Sequence, residues 1–358
     1  MHAATRSFAP PLTAAADPAS ARALAAWLFA CCVLVYAMVV IGGVTRLTHS
    51  GLSITEWQPI VGTLPPLSAA DWQQAFGKYQ LTPEFRDVNH GMTLHEFKGI
   101  FWWEYFHRLL GRAIGVVFLV PFLYFLARRR VPDTYAKPLA AIFVLGALQG
   151  ALGWYMVESG LVDDPHVSQF RLTAHLGLAV LILGAMQWTA MSLLDRASER
   201  EVATAAPRRF AYAVAALVFA MILSGGLVAG TRAGFAYNTF PSMNGHFIPP
   251  GMLSIDPVWR NFFWNLATVQ FDHRMIAYTL AVAVPLLAWT LHRLPATPAR
   301  ARTGSRWLVA MLAVQIGLGI STLLLVVPIP LAALHQAGAV LVFALALNVA
   351  HAMRRTRG

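Results

Sequence analysis

The sequence predicts an all-α integral membrane protein: eight transmembrane helices in two pseudo-symmetric four-helix bundles, with both termini cytoplasmic. Three observations carry this expectation. Apolar runs long enough to cross a bilayer recur along the 358 residues. The loops between those runs alternate in basic charge. A set of landmarks in the first half also reappears, in the same order, in the second.

A hydrocarbon core about 30 Å thick needs ~20 residues of helix. Runs of that kind lie near Trp27–Gly43, Tyr105–Leu126, Pro138–Val157, Leu172–Leu194, Tyr212–Gly230, Phe271–Trp289, Trp307–Val327 and Leu331–Ala350. The composition agrees, at 57% hydrophobic and 12% charged. Ordinary soluble domains carry about 25% charge, so a cytosolic globular enzyme is excluded. The first run follows Arg6 and Arg22, but no small-residue cleavage site succeeds it, so it reads as a retained span. The adjacent Cys31 and Cys32 sit inside it and read as small packing residues.

Of 27 basic residues, 17 fall on one side of this layout. They are Arg6, Arg22, Arg128, Arg129, Arg130, Lys137, Arg196, Arg200, Arg208, Arg209, Arg293, Arg300, Arg302, Arg306, Arg354, Arg355 and Arg357. The positive-inside bias makes that side cytoplasmic. The net charge of +11 therefore reports topology rather than affinity for nucleic acid. Arg108, Arg112 and Arg274 break the pattern by lying at or within spans, where charge is costly.

The landmarks define an internal repeat. Thr45-Arg46 recurs as Thr231-Arg232, and Pro65-Pro66 as Pro249-Pro250. His107-Arg108 recurs 166 residues on as His273-Arg274, and Gln149 and Gly153 recur at the same offset as Gln315 and Gly319. His175 is echoed by His335. Four spans per half keep both halves in one orientation, as parallel repeats about an axis along the membrane normal. The expected organisation is an N-terminal cytoplasmic segment (1–23), a first bundle (24–200) with a long outer loop (44–100), a second bundle (201–352) and a basic tail (353–358). That first loop is rich in Trp and acidic residues and is expected to form short amphipathic helices at the outer interface.

Only four of the 12 histidines fall within spans: His107, His175, His273 and His335. They occupy the second, fourth, sixth and eighth helices at matched depth near the outer end. Two histidines facing each other in one bundle can ligate a haem iron from both sides. Zinc or non-haem iron would normally add carboxylate or cysteine ligands. Arg108 and Arg274 lie where they can pair with haem propionates, or snorkel as interfacial arginines. Arg46 and Arg232, which open the outer loops, are second candidates for the propionate role. The halves differ at one informative position. Glu104 shares a helix face with His107, whereas the equivalent residue in the second half is Gln270. A carboxylate there points to reaction in the first half and electron transfer in the second; a plain i,i+4 pair with Arg108 is the competing explanation.

The run Glu96-Phe-Lys-Gly-Ile-Phe-Trp-Trp-Glu104-Tyr-Phe-His107-Arg-Leu-Leu-Gly-Arg112 resembles the haem A synthase family. So do Gly51-Leu-Ser-Ile-Thr-Glu-Trp-Gln-Pro-Ile-Val-Gly-Thr-Leu-Pro-Pro66 and Gln270-Phe-Asp-His-Arg274. The resemblance is to the proteobacterial and mitochondrial branch; the cysteine pair that another bacterial branch carries in its outer loop is missing. It implies oxidation of the C8 methyl group of haem O to a formyl group, giving haem A for terminal oxidases, with water as the oxygen source. It further implies haem b on His273 and His335, and substrate haem near His107 and His175 with Glu104 at the reacting edge. Whether both first-half histidines ligate the substrate iron stays open. Implied partners are the bilayer of the cell inner membrane, the farnesylating haem O synthase and an unidentified electron acceptor; a homo-oligomer stays open. Two rival functions share part of the pattern, a cytochrome b the histidines and a transporter the paired repeats. A di-haem, quinol-oxidising cytochrome b does not explain the Glu104/Gln270 difference. A transporter is expected to show broken helices at mid-membrane.

Overall fold

Asp17 accepts hydrogen bonds from the Ala19 and Ser20 N–H groups and Pro18 fills the first turn, so α1 (Pro18–Leu47) begins well before its apolar run. The structure is a computed structural model describing residues 17–57, 61–161, 165–195 and 205–354. Arg6, Arg196, Arg200, Arg355 and Arg357 of the charge count lie outside the described residues. The other helices are α2 (Ala69–Gln80), α3 (Pro83–Asp87), α4 (Leu94–Ala127), α5 (Asp133–Glu158), α6 (Gln169–Leu194), α7 (Ala205–Thr231), α8 (Asn261–Trp264), α9 (Leu266–Arg293), α10 (Ala299–Leu324) and α11 (Ile329–Ala352). Eight of them, all but α2, α3 and α8, are long and apolar enough to cross a membrane. Seven of them cover an expected run whole, α10 stops at Leu324 short of the expected Val327, and no named strand occurs among the described residues.

The largest departure from expectation is α4. A capping box between Thr93 and Glu96 starts it eleven residues before Tyr105. At 34 residues it is about 50 Å long, so its first turns project past a 30 Å core. Against them the expected short loop helices appear as α2 and α3. Trp72, Phe76 and Tyr79 of α2 close a small aromatic core with Phe97, Phe101 and Tyr105.

The first bundle comprises α1, α4, α5 and α6, the second α7, α9, α10 and α11. The bundles meet along α1 and α6 on one side and α7 and α11 on the other. The seam pairs α6 with α7, α1 with α11, and α6 with α11. Exchanging α1 for α7 and α6 for α11 turns the first contact into the second, which is the two-fold relation expected from the repeat. Small residues permit the close approach: a Cβ on Gly184 would sit 3.1 Å from the Phe343 ring. Gln187 adds a hydrogen bond to the Ala344 carbonyl across the seam at 2.8 Å. Cys31 is buried and Cys32 donates weakly to the Leu183 carbonyl, so both serve packing. At the other extreme α5 buries only Leu139 and Ile142, and turns Val144, Leu148, Trp154 and Tyr155 outward.

Candidate active site

Each of the four span histidines lies in the half of its bundle nearest the long loops, and each ring packs against a glycine of a neighbouring helix. In the first bundle His107 of α4 faces Gly42 of α1, and His175 of α6 faces Gly153 of α5. A Cβ on either glycine would lie 2.9 Å from the ring Cε1. In the second bundle His273 of α9 faces Gly225 of α7, and His335 of α11 faces Gly319 of α10, at 3.3 Å and 2.8 Å on the same measure. Glycine is needed at these positions because the imidazole occupies the space of the missing side chain. The rings are half-buried rather than enclosed. Each bundle carries one such pair, His107 with His175 in the first and His273 with His335 in the second.

The recurrence of Gln149 and Gly153 as Gln315 and Gly319 now has a physical meaning. Gln149 donates to the His175 carbonyl at 3.0 Å and approaches the ring Nε2 at 3.4 Å. Gln315 donates to the His335 carbonyl at 2.8 Å and reaches the ring Nδ1 at 3.1 Å. Ser224 plays the same part for His273, its hydroxyl lying 2.8 Å from Nδ1. In both second-bundle histidines Nδ1 is thus engaged, which leaves Nε2 as the ring nitrogen available to an iron. His175 differs: its Nδ1 is buried with no hydrogen-bond partner.

Glu104 is buried at 3% exposure and accepts four hydrogen bonds. Arg108 supplies two of them, so the i,i+4 ion pair is made, at 2.6 Å. Ser53 and the Ile54 backbone, both in the long loop, supply the others. Gln270, equally buried, donates instead to the Tyr237 carbonyl of the second loop at 3.2 Å. Arg108 also donates to the Ile54 and Glu56 carbonyls at 2.7 Å and 2.9 Å. Arg274 clamps four second-loop carbonyls, of Tyr237, Thr239, Pro241 and Ser242. The two arginines therefore hold the outer loops over their histidines with the donors that a propionate would use. Arg46 instead reaches across the seam to the Ala229 carbonyl at 3.3 Å, three residues before Arg232.

Sequence reasoning brought together the four histidines, Glu104 and Gln270. It missed Ser53, Ser224 and the histidine-facing glycines Gly42 and Gly225, and it assigned no role to Gln149 and Gln315. Among the described residues no group of three or more His, Cys, Asp and Glu side chains converges as a metal cage. A histidine pair in each bundle remains, a donor set that suits a haem iron better than a bare ion.

The chain matches the family model of the cytochrome oxidase assembly proteins over residues 25–347. It is 60% identical over 336 residues to a haem A synthase of Nitrosospira multiformis, covering 93% of this chain and 94% of that protein. The chain belongs to the haem A synthase family. Further haem A synthases, from Nitrosomonas eutropha and Parvibaculum lavamentivorans, are 54% and 49% identical. They cover 91% and 94% of the chain, and 92% and 96% of their own lengths. Similarity to haem A synthases thus extends across both bundles, so each histidine pair lies inside the family's shared architecture.

Proposed function

We propose that this chain is a multi-pass haem A synthase that oxidises the C8 methyl group of haem O to a formyl group. Substrate haem is held in the first bundle, near His107 and His175. Haem b is held in the second by His273 and His335. The observation that carries the assignment is the asymmetry between otherwise matched sites. Both bundles offer a glycine-backed histidine pair, but only the first places a carboxylate, Glu104, three residues from its histidine. In the second bundle an amide takes that place, and the Nδ1 atoms are fixed by Ser224 and Gln315.

Conversion of a methyl to a formyl group with oxygen from water takes successive two-electron steps, each releasing two protons. Bound haem b supplies a one-electron carrier towards an acceptor outside the chain. The protein's own groups account for placement and proton handling. Loop residues Ser53 and Ile54, drawn down by Arg108, close over Glu104 and limit water at the reacting edge. Glu104 is the acceptor for a proton from the attacking water and stabilises developing positive charge beside it. The sites lie towards the outer face of the inner membrane, and haem O synthase is the natural supplier of substrate.

The test is to purify the protein and separate its extracted haems by chromatography. Haem b together with haem O, a hydroxylated intermediate or haem A is expected. Haem b alone at two equivalents per chain would make this a di-haem cytochrome and sink the assignment. His273→Ala is expected to abolish the haem b spectrum.

A further inference from the structure

The seam between the bundles ends differently at its two faces. At the short-loop face Asp195, which caps α6, meets Arg354 at 2.8 Å and Arg300 at 3.5 Å. At the long-loop face Arg46, in the last turn of α1, and Arg232, directly after α7, lie close enough to interact, and His49 borders both. Among the described residues no carboxylate forms an ion pair with either arginine. Arg46 uses one nitrogen on the Ala229 carbonyl, at 3.3 Å. A cation is favoured at a helix C-terminus, but Arg46 leaves its own helix end for that of α7, where Arg232 already stands. Two like charges are thus gathered at one helix end. The backbone is strained where they gather: His49 and Arg232 hold left-handed φ values of 51° and 61°, costly for residues other than glycine and typical of ligand clamps.

The position relates this pair to both histidine sites. Arg46 stands four residues, about 6 Å along the helix, beyond Gly42, which packs on His107. Adjacent Gly43 packs on Gln336, the neighbour of His335, and Gln336 donates to the Val39 carbonyl of α1 at 2.7 Å. Arg232 follows Gly225, which packs on His273, along α7. Arg108 and Arg274, the other basic groups near the histidines, already hold loop carbonyls.

We propose that Arg46 and Arg232 form one shared anion site at the long-loop end of the seam, taking a propionate carboxylate from the haem of each bundle. The proposal rests on the reading that both histidine pairs hold haem. It makes the two porphyrins neighbours through a common pair of cations, although their irons are ligated by separate bundles.

The experiment uses the purified full-length chain loaded with haem b, and reads the rate of haem loss to excess apomyoglobin. Arg232→Gln and Arg46→Gln are compared with Arg232→Lys and Arg46→Lys. The same chains are then reloaded with protohaem dimethyl ester, which lacks the carboxylates. Arg232→Gln is expected to speed haem b loss on the order of tenfold, as removal of one charge-assisted hydrogen bond does, with Lys largely restoring retention. Arg46→Gln is expected to add to that loss in the double variant. With the ester, wild-type and Gln chains lose haem at one rate. If the Gln variants retain haem b as the wild type does, the site is not a propionate clamp. The same conclusion follows if ester and acid forms respond equally, since the site then takes another anion such as a lipid phosphate. His273→Ala separates this outcome from failure of the haem assignment. If it keeps haem b, the assignment itself is wrong; if it loses haem b while the arginine variants behave as wild type, only the shared site is.

Discussion

Arg108 holds Glu104 by a single oxygen, Oε1, through Nε at 3.0 Å and Nη2 at 2.6 Å, leaving Oε2 to Ser53 and Ile54 at 2.7 Å and 2.8 Å. The ion pair that competed with catalysis as an explanation of this carboxylate is therefore formed. One oxygen is anchored within the helix, the other holds the loop that covers the site.

Glu104→Gln keeps the size of the side chain but turns an NH2 group towards donors on one side or the other. Haem A formation is expected to fall about 100-fold or more, in line with loss of a general base. The haem b absorbance is expected to stay. Activity and the reduced-minus-oxidised spectrum of one preparation check both parts, and full activity would remove the case for chemistry in the first bundle.

The glycines facing the histidines predict a matched pair of effects. Alanine at Gly319 would place its Cβ 2.8 Å from the His335 ring, and alanine at Gly153 its Cβ 2.9 Å from His175. Both rings must shift. Gly319→Ala is expected to lower the haem b content of the purified chain severalfold. Gly153→Ala is expected to leave haem b in place and lower haem A output. Haem extraction from the two variants distinguishes them.

Gln315 and Gln149 are positioning residues. Gln315→Ala removes the donor to both the His335 carbonyl and its Nδ1, and is expected to weaken haem b retention about tenfold, as loss of an outer-shell partner does. Gln149→Ala is expected to slow product formation without loss of haem b. Equal haem b loss in both variants would show a general packing defect instead.

Glu84, in α3 of the long loop, is 3% exposed, and its one side-chain partner is the Tyr79 hydroxyl at 3.3 Å. Burial, with the nearby Glu104 charge adding to it, pushes its carboxyl from the usual 4.5 up to about 8. The folded loop therefore holds a proton that the unfolded loop releases above 4.5, so loop stability is highest at low pH and declines as pH rises towards 8. The protection factors of the 69–87 amides, which correct for the base-catalysed rise of intrinsic exchange, are expected to fall over that interval, and Glu84→Gln to abolish the fall. Unchanged pH dependence in that variant would assign the effect to another group.

The spans were legible because each is a local property, an apolar run of adequate length. The histidine pairs were legible because duplication displays the same residue twice. What could not be read depends on contacts distant in sequence. Ser53 reaches Glu104 across 51 positions, with no periodicity to announce it. Gln149 and Gly153 stood out as a repeated pair, but their purpose emerges only where α5 lies on α6. The projecting start of α4 was legible in principle from Thr93 and Glu96; the apolar count, which begins lower down, masked it. Arg108 and Arg274 were correctly placed at the loop edge, yet the carbonyls that occupy them belong to loops whose course the sequence does not reveal.

The bareness of α5 has a bearing on supply. Gly153 and Gln149 touch His175 from one side of this helix, while Val144 and Leu148 face away from the protein on the other. A single helix thus lies between His175 and the outer surface of the first bundle. If the first bundle holds a farnesylated haem as proposed, that wall lets it arrive by lateral diffusion in the bilayer, a two-dimensional search that spares its tail any passage through water.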